Sequence, residues 1–247
     1  MSIVEYGKFR YMKCIFPYFK VLINKVFLKL IRFMEKNFKM LAKTFYGFEE
    51  ILEKELLQLG AKNIKKGNRF VSFEGDKGFM YKTNLSLRTA LKILKPIYSE
   101  RIQNENGLYE LFYNFPWEDY MDVNSKFVID SVVNGEIFTH SQYTSQKAKD
   151  GLVDQFRDKY NERPSVDLNR PDLRINLHIQ NDLCTISLDT SGASLHHRGY
   201  RIATNIAPLN EVLAAGLIQL SGWQANTDFF DPMCGSGTFL IEAAMFA

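Results

Sequence analysis

Residues 229–244 read FFDPMCGSGTFLIEAA, and no other stretch restricts the fold as much. Two aromatics lead into Asp231, a turn holding Gly235 and Gly237 follows, and strong helix formers begin at Thr238. The pattern predicts a strand, a tight loop and a helix N-terminus, the opening unit of a nucleotide-type α/β sheet. Glycine has no Cβ, so such a loop can take positive φ and let a ligand touch its backbone. The first N–H groups of a helix lack intrahelical acceptors and can hold a carboxylate or phosphate. Asp231, at the carboxyl end of the expected strand, is placed to meet an amine, a hydroxyl or ordered water. A dinucleotide fingerprint is disfavoured, because Leu240 stands where its third glycine or alanine belongs. A Walker phosphate loop is excluded, since the chain has no GxxxxGK[ST].

The 247 residues, 46% of them hydrophobic, suffice for one large core or two to three small ones. The formal charge of +3 needs dividing. Residues 1–38 carry eight Lys/Arg and two acids, leaving 23 basic against 26 acidic residues in the body. Nucleic-acid contact must therefore come from a local patch. Lys62 to Arg101 holds ten basic and three acidic residues, whereas Glu105 to Glu136 holds seven acids against Lys126 alone. Two ordinary solvated faces would look the same. Cys14, Cys184 and Cys234 are odd in number and far apart, which suggests neither a disulfide framework nor a zinc site and fits a reducing, cytoplasmic compartment.

Residues 1–38 mix aromatic and aliphatic residues with Lys20, Lys25, Lys29 and Arg32, the spacing of an amphipathic helix from Leu22 onward. Charges interrupt every apolar run well short of the ~20 residues that span a bilayer. An interfacial helix, a basic RNA arm, or a stretch upstream of a start at Met34 would all fit. The last is preferred, because a compact pattern begins only at Met40.

From there Met40–Phe45 reads as a strand and Glu49–Leu59 as a helix whose apolar stripe is broken by Glu55, with Gly60 as its C′ residue. Lys65–Asn68 is turn-like and Arg69–Glu74 alternates as a strand. Phe79–Ala90 is helical, and Lys95–Ile102 is extended. The order β-α-β-β-α-β is the ferredoxin-like signature. A second α+β unit follows: helix pieces at Leu108–Phe115 and Trp117–Tyr120, a strand at Lys126–Val133 and a helix at Ser141–Tyr160. Ile175–Ile179 and Thr185–Leu188 form a hairpin around Asn181-Asp182.

The string DPMCGSGTFLIEAA resembles the first motif of class I S-adenosylmethionine-dependent methyltransferases, particularly those acting on guanine N2 in RNA. Ser141-Gln142-Tyr143 with Lys147, then Arg163–Asp167 and Pro171–Arg174, is similar to the THUMP domain, an RNA-binding module. Asp189-Thr190-Ser191-Gly192, Leu195–Arg201 (LHHRGYR) and Ala207–Glu211 (APLNE) resemble the joint between the two halves of THUMP-containing guanine-N2 methyltransferases. The likeness covers about residues 38–247 and is closest to bacterial enzymes that modify guanine in large-subunit ribosomal RNA.

The resemblance implies an α+β fold: a ferredoxin-like part (39–80), a THUMP domain (81–190), a linker (191–210) and the truncated start of a Rossmann-like methyltransferase domain (211–247). Residues 1–38 would be a basic extension. It implies S-adenosylmethionine as cofactor, held by Asp231, Pro232, Cys234, Gly235, Ser236, Gly237 and Thr238, with Pro208 and Leu209 over its edge. Cys234 reads as a small residue packed under the ligand, since guanine-N2 transfer needs no enzyme nucleophile. Glu242, one turn into the helix, could touch the cofactor or serve its own helix end.

Structured RNA, in particular large-subunit rRNA, is the implied partner. Lys147, Lys149 and Arg174 would meet it, and Arg198 and Arg201 would fork onto phosphate while Tyr200 stacks on a base. Salt bridges pinning the linker are the competing use of both arginines. Adjacent His196 and His197 on an extended segment would point to opposite sides and hold no metal. The family's catalytic Asn-Pro-Pro-Tyr loop is nowhere in the sequence, so no catalytic residue is expected in this chain, nor methyl transfer by it alone. A non-catalytic THUMP RNA-binding module is the alternative. No membrane contact is expected unless residues 1–38 form an interfacial helix.

Overall fold

Alternating apolar positions shape β1, while β2 is an exposed, lysine-rich edge, and the computed structural model describes residues 37–201 and 208–247 of the chain. The basic extension therefore lies almost wholly outside the described residues. β1 (Phe38–Lys43), α1 (Glu49–Leu59), β2 (Lys62–Gly67), β3 (Phe70–Gly75), α2 (Lys77–Ser86) and β4 (Lys92–Arg101) follow the ferredoxin-like order. Their strands lie β2-β3-β1-β4, each antiparallel to its neighbour. The second strand runs through Lys65-Lys66-Gly67, a stretch that reads as turn; the turn itself is confined to Asn68 and Arg69, with Arg69 at φ 63°. α2 starts two residues before Phe79, because the Asp76 carboxylate accepts from the Phe79 N–H at 2.7 Å. It stops at Ser86, where Leu87 turns extended and buries itself.

α3 (Glu105–Asn114), a 3₁₀ turn (Trp117–Asp119), β5 (Lys126–Asn134), α4 (Ser141–Tyr160), β6 (Ser165–Val166), β7 (Leu173–Gln180) and β8 (Leu183–Asp189) form the second half. β5 pairs in parallel with β6 and β7, and β7 with β8 is the expected two-residue hairpin, Asn181 taking φ 56°. β4 belongs to both halves. Its first residues pair with β1 and Leu94–Arg101 pair with β8, so one sheet of order β2-β3-β1-β4-β8-β7-β5-β6 runs through the molecule. Pro96, which has no N–H to give, falls where the β4–β8 register slips.

The period of two sends one side of each strand into a core. Met40, Ala42, Val71, Phe73 and Ile93 meet Leu52, Leu56 and Leu87 in the first core. Phe127, Ile129, Ile175, Leu177 and Ile186 meet Leu108, Phe112, Trp117, Leu152 and Phe156 in the second. Each such side chain contributes about 1.5–3 kcal/mol relative to exposure. Among the described residues no helix is long and apolar enough to cross a membrane.

Glu55 interrupts the apolar stripe of α1 for a reason. One carboxylate oxygen accepts from the backbone N–H groups of Arg88 (3.2 Å) and Thr89 (3.1 Å) and from the Thr89 hydroxyl (2.8 Å). The other accepts from Gln219 Nε2 at 2.7 Å. Glu55→Leu, which the helical pattern alone would favour, strands two backbone donors at about 1–3 kcal/mol each. Urea unfolding should show a loss of about 2–6 kcal/mol on that basis. A stabilised variant would show that the pattern outweighs the bonds.

Candidate functional site

α5 (Glu211–Leu220) and α6 (Thr238–Phe246) flank the loop that carries the FFDPMCGSG string. Asn210 caps α5, its Oδ1 accepting from the Leu213 N–H at 3.1 Å. α5 packs against the N-terminal end of α1 so closely that a Cβ at Gly216 would stand 2.1 Å from the ring of Phe48, the α1 N-cap.

Phe229–Asp231 is not a strand in the structure, contrary to the sequence pattern. A strand is held by the ladder beside it, and among the described residues none pairs with this segment. Trp223 instead packs on Phe229 at 5.1 Å and on Phe246 at 6.0 Å between ring centroids. The loop itself is tightly turned. Asp231 Oδ1 accepts from the Met233 N–H at 3.1 Å, and the Gly237 N–H donates to the Cys234 carbonyl at 2.7 Å. Gly235 (φ 52°) and Gly237 (φ 73°) are left-handed, and open space lies where a Cβ would be on either. Gly237 is the N-cap of α6 and no side chain caps the first turn. A helix start so bared offers its N–H groups and positive dipole end to an anionic ligand.

Pro232, Cys234, Gly235 and Ser236 are exposed on this loop, Gly237 is half-buried and Thr238 is buried. Cys234 is a free, exposed thiol. Pro208 and Leu209 are half-buried. Arg201 brings Leu209 to the loop: its Nη2 donates to the Leu209 carbonyl at 2.6 Å and to Thr238 Oγ1 at 2.7 Å, while its Nε lies 3.2 Å from Glu211.

Arg198 is equally committed. Its guanidinium donates to the carbonyls of Arg88 (2.6 Å) and Leu195 (3.0 Å), and its Nε stands 3.5 Å from Glu242. The Tyr200 hydroxyl donates to Glu242 at 3.2 Å. Burial, then the Glu242 and Glu211 carboxylates, push the Tyr200 phenol up to about 12. Arg88 closes the ring, with Nη1 3.7 Å from Glu242 and Nη2 donating to the Met245 carbonyl at 3.0 Å. Glu242 is thus buried on two arginines and a tyrosine, and its carboxylate neither caps the start of its helix nor reaches solvent.

In the structure Arg198, Arg201 and Tyr200 engage Glu242, Glu211 and main-chain carbonyls, the linker contacts that compete with the expected phosphate fork and base stack. Arg174 is likewise engaged, with Nη1 3.0 Å from Asp130, which Lys92 also meets at 3.4 Å. Lys147 and Lys149 remain half-exposed on α4, Lys147 with its ammonium 5.3 Å from the Tyr109 ring centre and Lys149 paired with Asp150 at 2.8 Å. His196 and His197 do not diverge: their ring centres lie 3.8 Å apart with the planes tilted by 40°, since the segment turns at Ser194 rather than extending. Burial, then His197, lowers the His196 pKa. Among the described residues no group of three or more His, Cys, Asp or Glu is placed to hold a metal. Sequence reasoning missed Arg88, a lone arginine after a helix with nothing in its spacing to distinguish it.

Three family models match, in chain order: the RlmL ferredoxin-like domain over residues 39–94, the THUMP domain over 103–189, and the RMKL-like methyltransferase domain over 198–247. A Synechocystis sp. protein named "Putative RNA methyltransferase" is 40% identical over 81% of this chain and 52% of its own length. A Listeria monocytogenes structure titled "predicted N6-adenine-specific DNA methylase" is 32% identical, with a TM-score of 0.72 over 85% of this chain and 55% of that one. The structure of SMU.472, "a putative methyltransferase complexed with SAH", is 30% identical, with a TM-score of 0.72 over 86% and 56%. The chain spans about half the length of these relatives.

Proposed function

We propose that this chain, a THUMP-containing RNA methyltransferase by its domain make-up, grips structured RNA through its eight-stranded front half and opens an S-adenosylmethionine site at residues 231–238. The observation that carries the reading is the uncapped α6 start behind two left-handed glycines, tied by Arg201 to the linker and through Glu242 to Arg88, just ahead of β4 in the eight-stranded sheet. S-adenosylhomocysteine in the SMU.472 structure supports the cofactor. When bound, the cofactor supplies a methyl group on a sulfonium. Asp231, Gly235, Gly237 and the α6 N–H groups would hold it, with Pro208 and Leu209 along its edge. The protein's share is orientation and exclusion of water.

The target we favour is guanine N2 in large-subunit rRNA, which must leave its stack to be reached. The Listeria structure, described as a predicted N6-adenine-specific DNA methylase, favours adenine N6 in DNA as a second reading. The sequence holds no Asn-Pro-Pro-Tyr loop to accept hydrogen bonds from the amine, and among the described residues no strand pairs with the 229–231 segment. The 247-residue chain by itself is therefore expected to bind S-adenosylmethionine weakly in isothermal titration and to transfer no methyl group. Micromolar binding with transfer to RNA would overturn that part. Free thiols at Cys184 and Cys234 support a reducing, cytoplasmic setting.

RNA binding is tested by titrating the chain with a large-subunit rRNA fragment at several salt concentrations. Replacing Lys147 and Lys149 by Gln should lower affinity and flatten the salt slope by about two ion equivalents, near 0.9 per phosphate contact. An unchanged slope removes both lysines from the interface, and absence of binding at low salt removes the RNA reading altogether.

A further inference from the structure

α3 has a face that neither core nor α4 uses. At about 100° per residue, Leu108, Leu111 and Phe112 turn into the second core, while Tyr109 and Tyr113 reach Asp154 and Asp158 on α4 at 3.0 and 2.8 Å. Asn106, Glu110 and Asn114, four residues apart, form a line beside those tyrosines and border a cleft of about 790 Å³. Among the described residues, none bonds the side chains of these three.

The facing wall is aromatic. Tyr98 on β4 and Tyr120 after the 3₁₀ turn are 41% and 38% exposed, with buried Phe115 between them. Tyr98 meets the Phe115 ring edge-on at 5.7 Å, and Tyr120 stacks on it at 5.7 Å. The Tyr98 hydroxyl donates to Glu100 at 3.1 Å, which fixes both side chains.

Flat ring faces opposite a row of amides and carboxylates suit a planar ligand with hydrogen-bonding groups on its edge. Arg101 also borders the cleft but is paired with Asp182 at 2.6 Å, so Glu100 and Glu110 set the local charge, repel a phosphate and keep the charged part of such a ligand outside. They favour an edge that offers amino or imino hydrogens. A nucleobase with an exocyclic amine has both properties, and base–aromatic stacking does not require the phosphate to enter. Lys147, over the Tyr109 ring on the adjoining face of the same helix, is in position for the backbone outside.

We propose that the cleft between α3 and the outer half of β4 takes one unstacked, amino-bearing nucleobase of the bound RNA, laid against Tyr98 or Tyr120 and read along its edge by Asn106, Glu110 and Asn114. The proposal rests on the RNA-binding reading above and deepens it.

The test uses the 247-residue chain with one hairpin RNA, blunt or with a short 3′ single-stranded overhang. The wild type should prefer the overhang. Replacing Tyr98 and Tyr120 together by Ala should weaken overhang binding about tenfold, within the range of one lost base stack, and leave blunt-hairpin binding unchanged. The double Phe variant should restore it, because the ring face suffices. Glu110→Gln should erase a preference for cytidine or adenosine over uridine in the overhang. In the wild type, 2-aminopurine in the overhang should be quenched on binding, a readout independent of how the variants fold. Absence of quenching, equal wild-type affinity for both hairpins, or an unaffected Ala variant overturns the cleft and leaves RNA binding standing. No wild-type affinity for either hairpin overturns the RNA reading, and the cleft falls with it.

Discussion

Glu242→Ala is expected to release α6 and the 231–237 loop from the rest of the molecule, at a cost of about 3–5 kcal/mol, the usual range for removing one partner of a buried ion pair. The variant leaves Arg88 and Arg198 facing each other without the carboxylate between them, and the Tyr200 hydroxyl without its acceptor. Arg198 keeps its two carbonyls and Arg88 keeps Met245, so the loss should be local. Amide hydrogen exchange across 238–246 should accelerate strongly, while β1 to β8 keep their protection. Glu242→Gln, which can still accept from Tyr200, should lie between. A change under about 1 kcal/mol would place the ring of charges among those that barely contribute.

Trp117→Ala should unsettle the second core by about 3–5 kcal/mol, as for other large aromatics cut to alanine. Trp117 is fully buried and packs on Phe112 at 5.3 Å and Phe115 at 4.6 Å. Its indole N–H donates to the Phe112 carbonyl at 2.7 Å, satisfying the last turn of α3. The same site holds Gln155, whose amide donates to the Phe115 carbonyl at 2.7 Å from α4. Loss of the indole therefore opens a cavity where α3, the 3₁₀ turn and α4 converge. Trp117→Phe should cost clearly less, leaving one carbonyl short of a donor. Denaturant unfolding followed by circular dichroism measures both, and equal stability of Ala variant and wild type would deny the packing its weight.

What could be seen in the sequence was whatever local periodicity encodes. The β7–β8 hairpin stands in its alternation and its Asn181-Asp182 turn, and α4 in the stripe through Ala148, Leu152 and Phe156. β2 was hidden because Lys65, Lys66 and Gly67 are an exposed strand's residues, with little apolar face to show. The glycine loop was legible as a motif, but its strand was not realised, since pairing is a non-local property that three residues cannot supply. Arg198 and Arg201 illustrate the harder limit. A guanidinium suits phosphate and carboxylate alike, and only the positions of Glu242 and Glu211 in space decide which it meets. Glu55 is the same lesson reversed: a charge that spoils a helical stripe marks where α1 is tied to α5 and to the approach to β4.

The strand shared by both halves also fixes an order of events during synthesis. β1 to β4 can close on one another once Arg101 has left the ribosome, but the far edge of β4 has no partner until Leu183–Asp189 is made. For that whole interval a nascent chain carries an open sheet edge, the feature through which growing polypeptides stick to one another. This edge is poorly suited to such a meeting. Pro96 cannot donate, the backbone slips out of register just beyond it, and Lys95, Glu100 and Arg101 place charges along it. The irregularity that interrupts the finished sheet thus doubles as a guard on the half-made one.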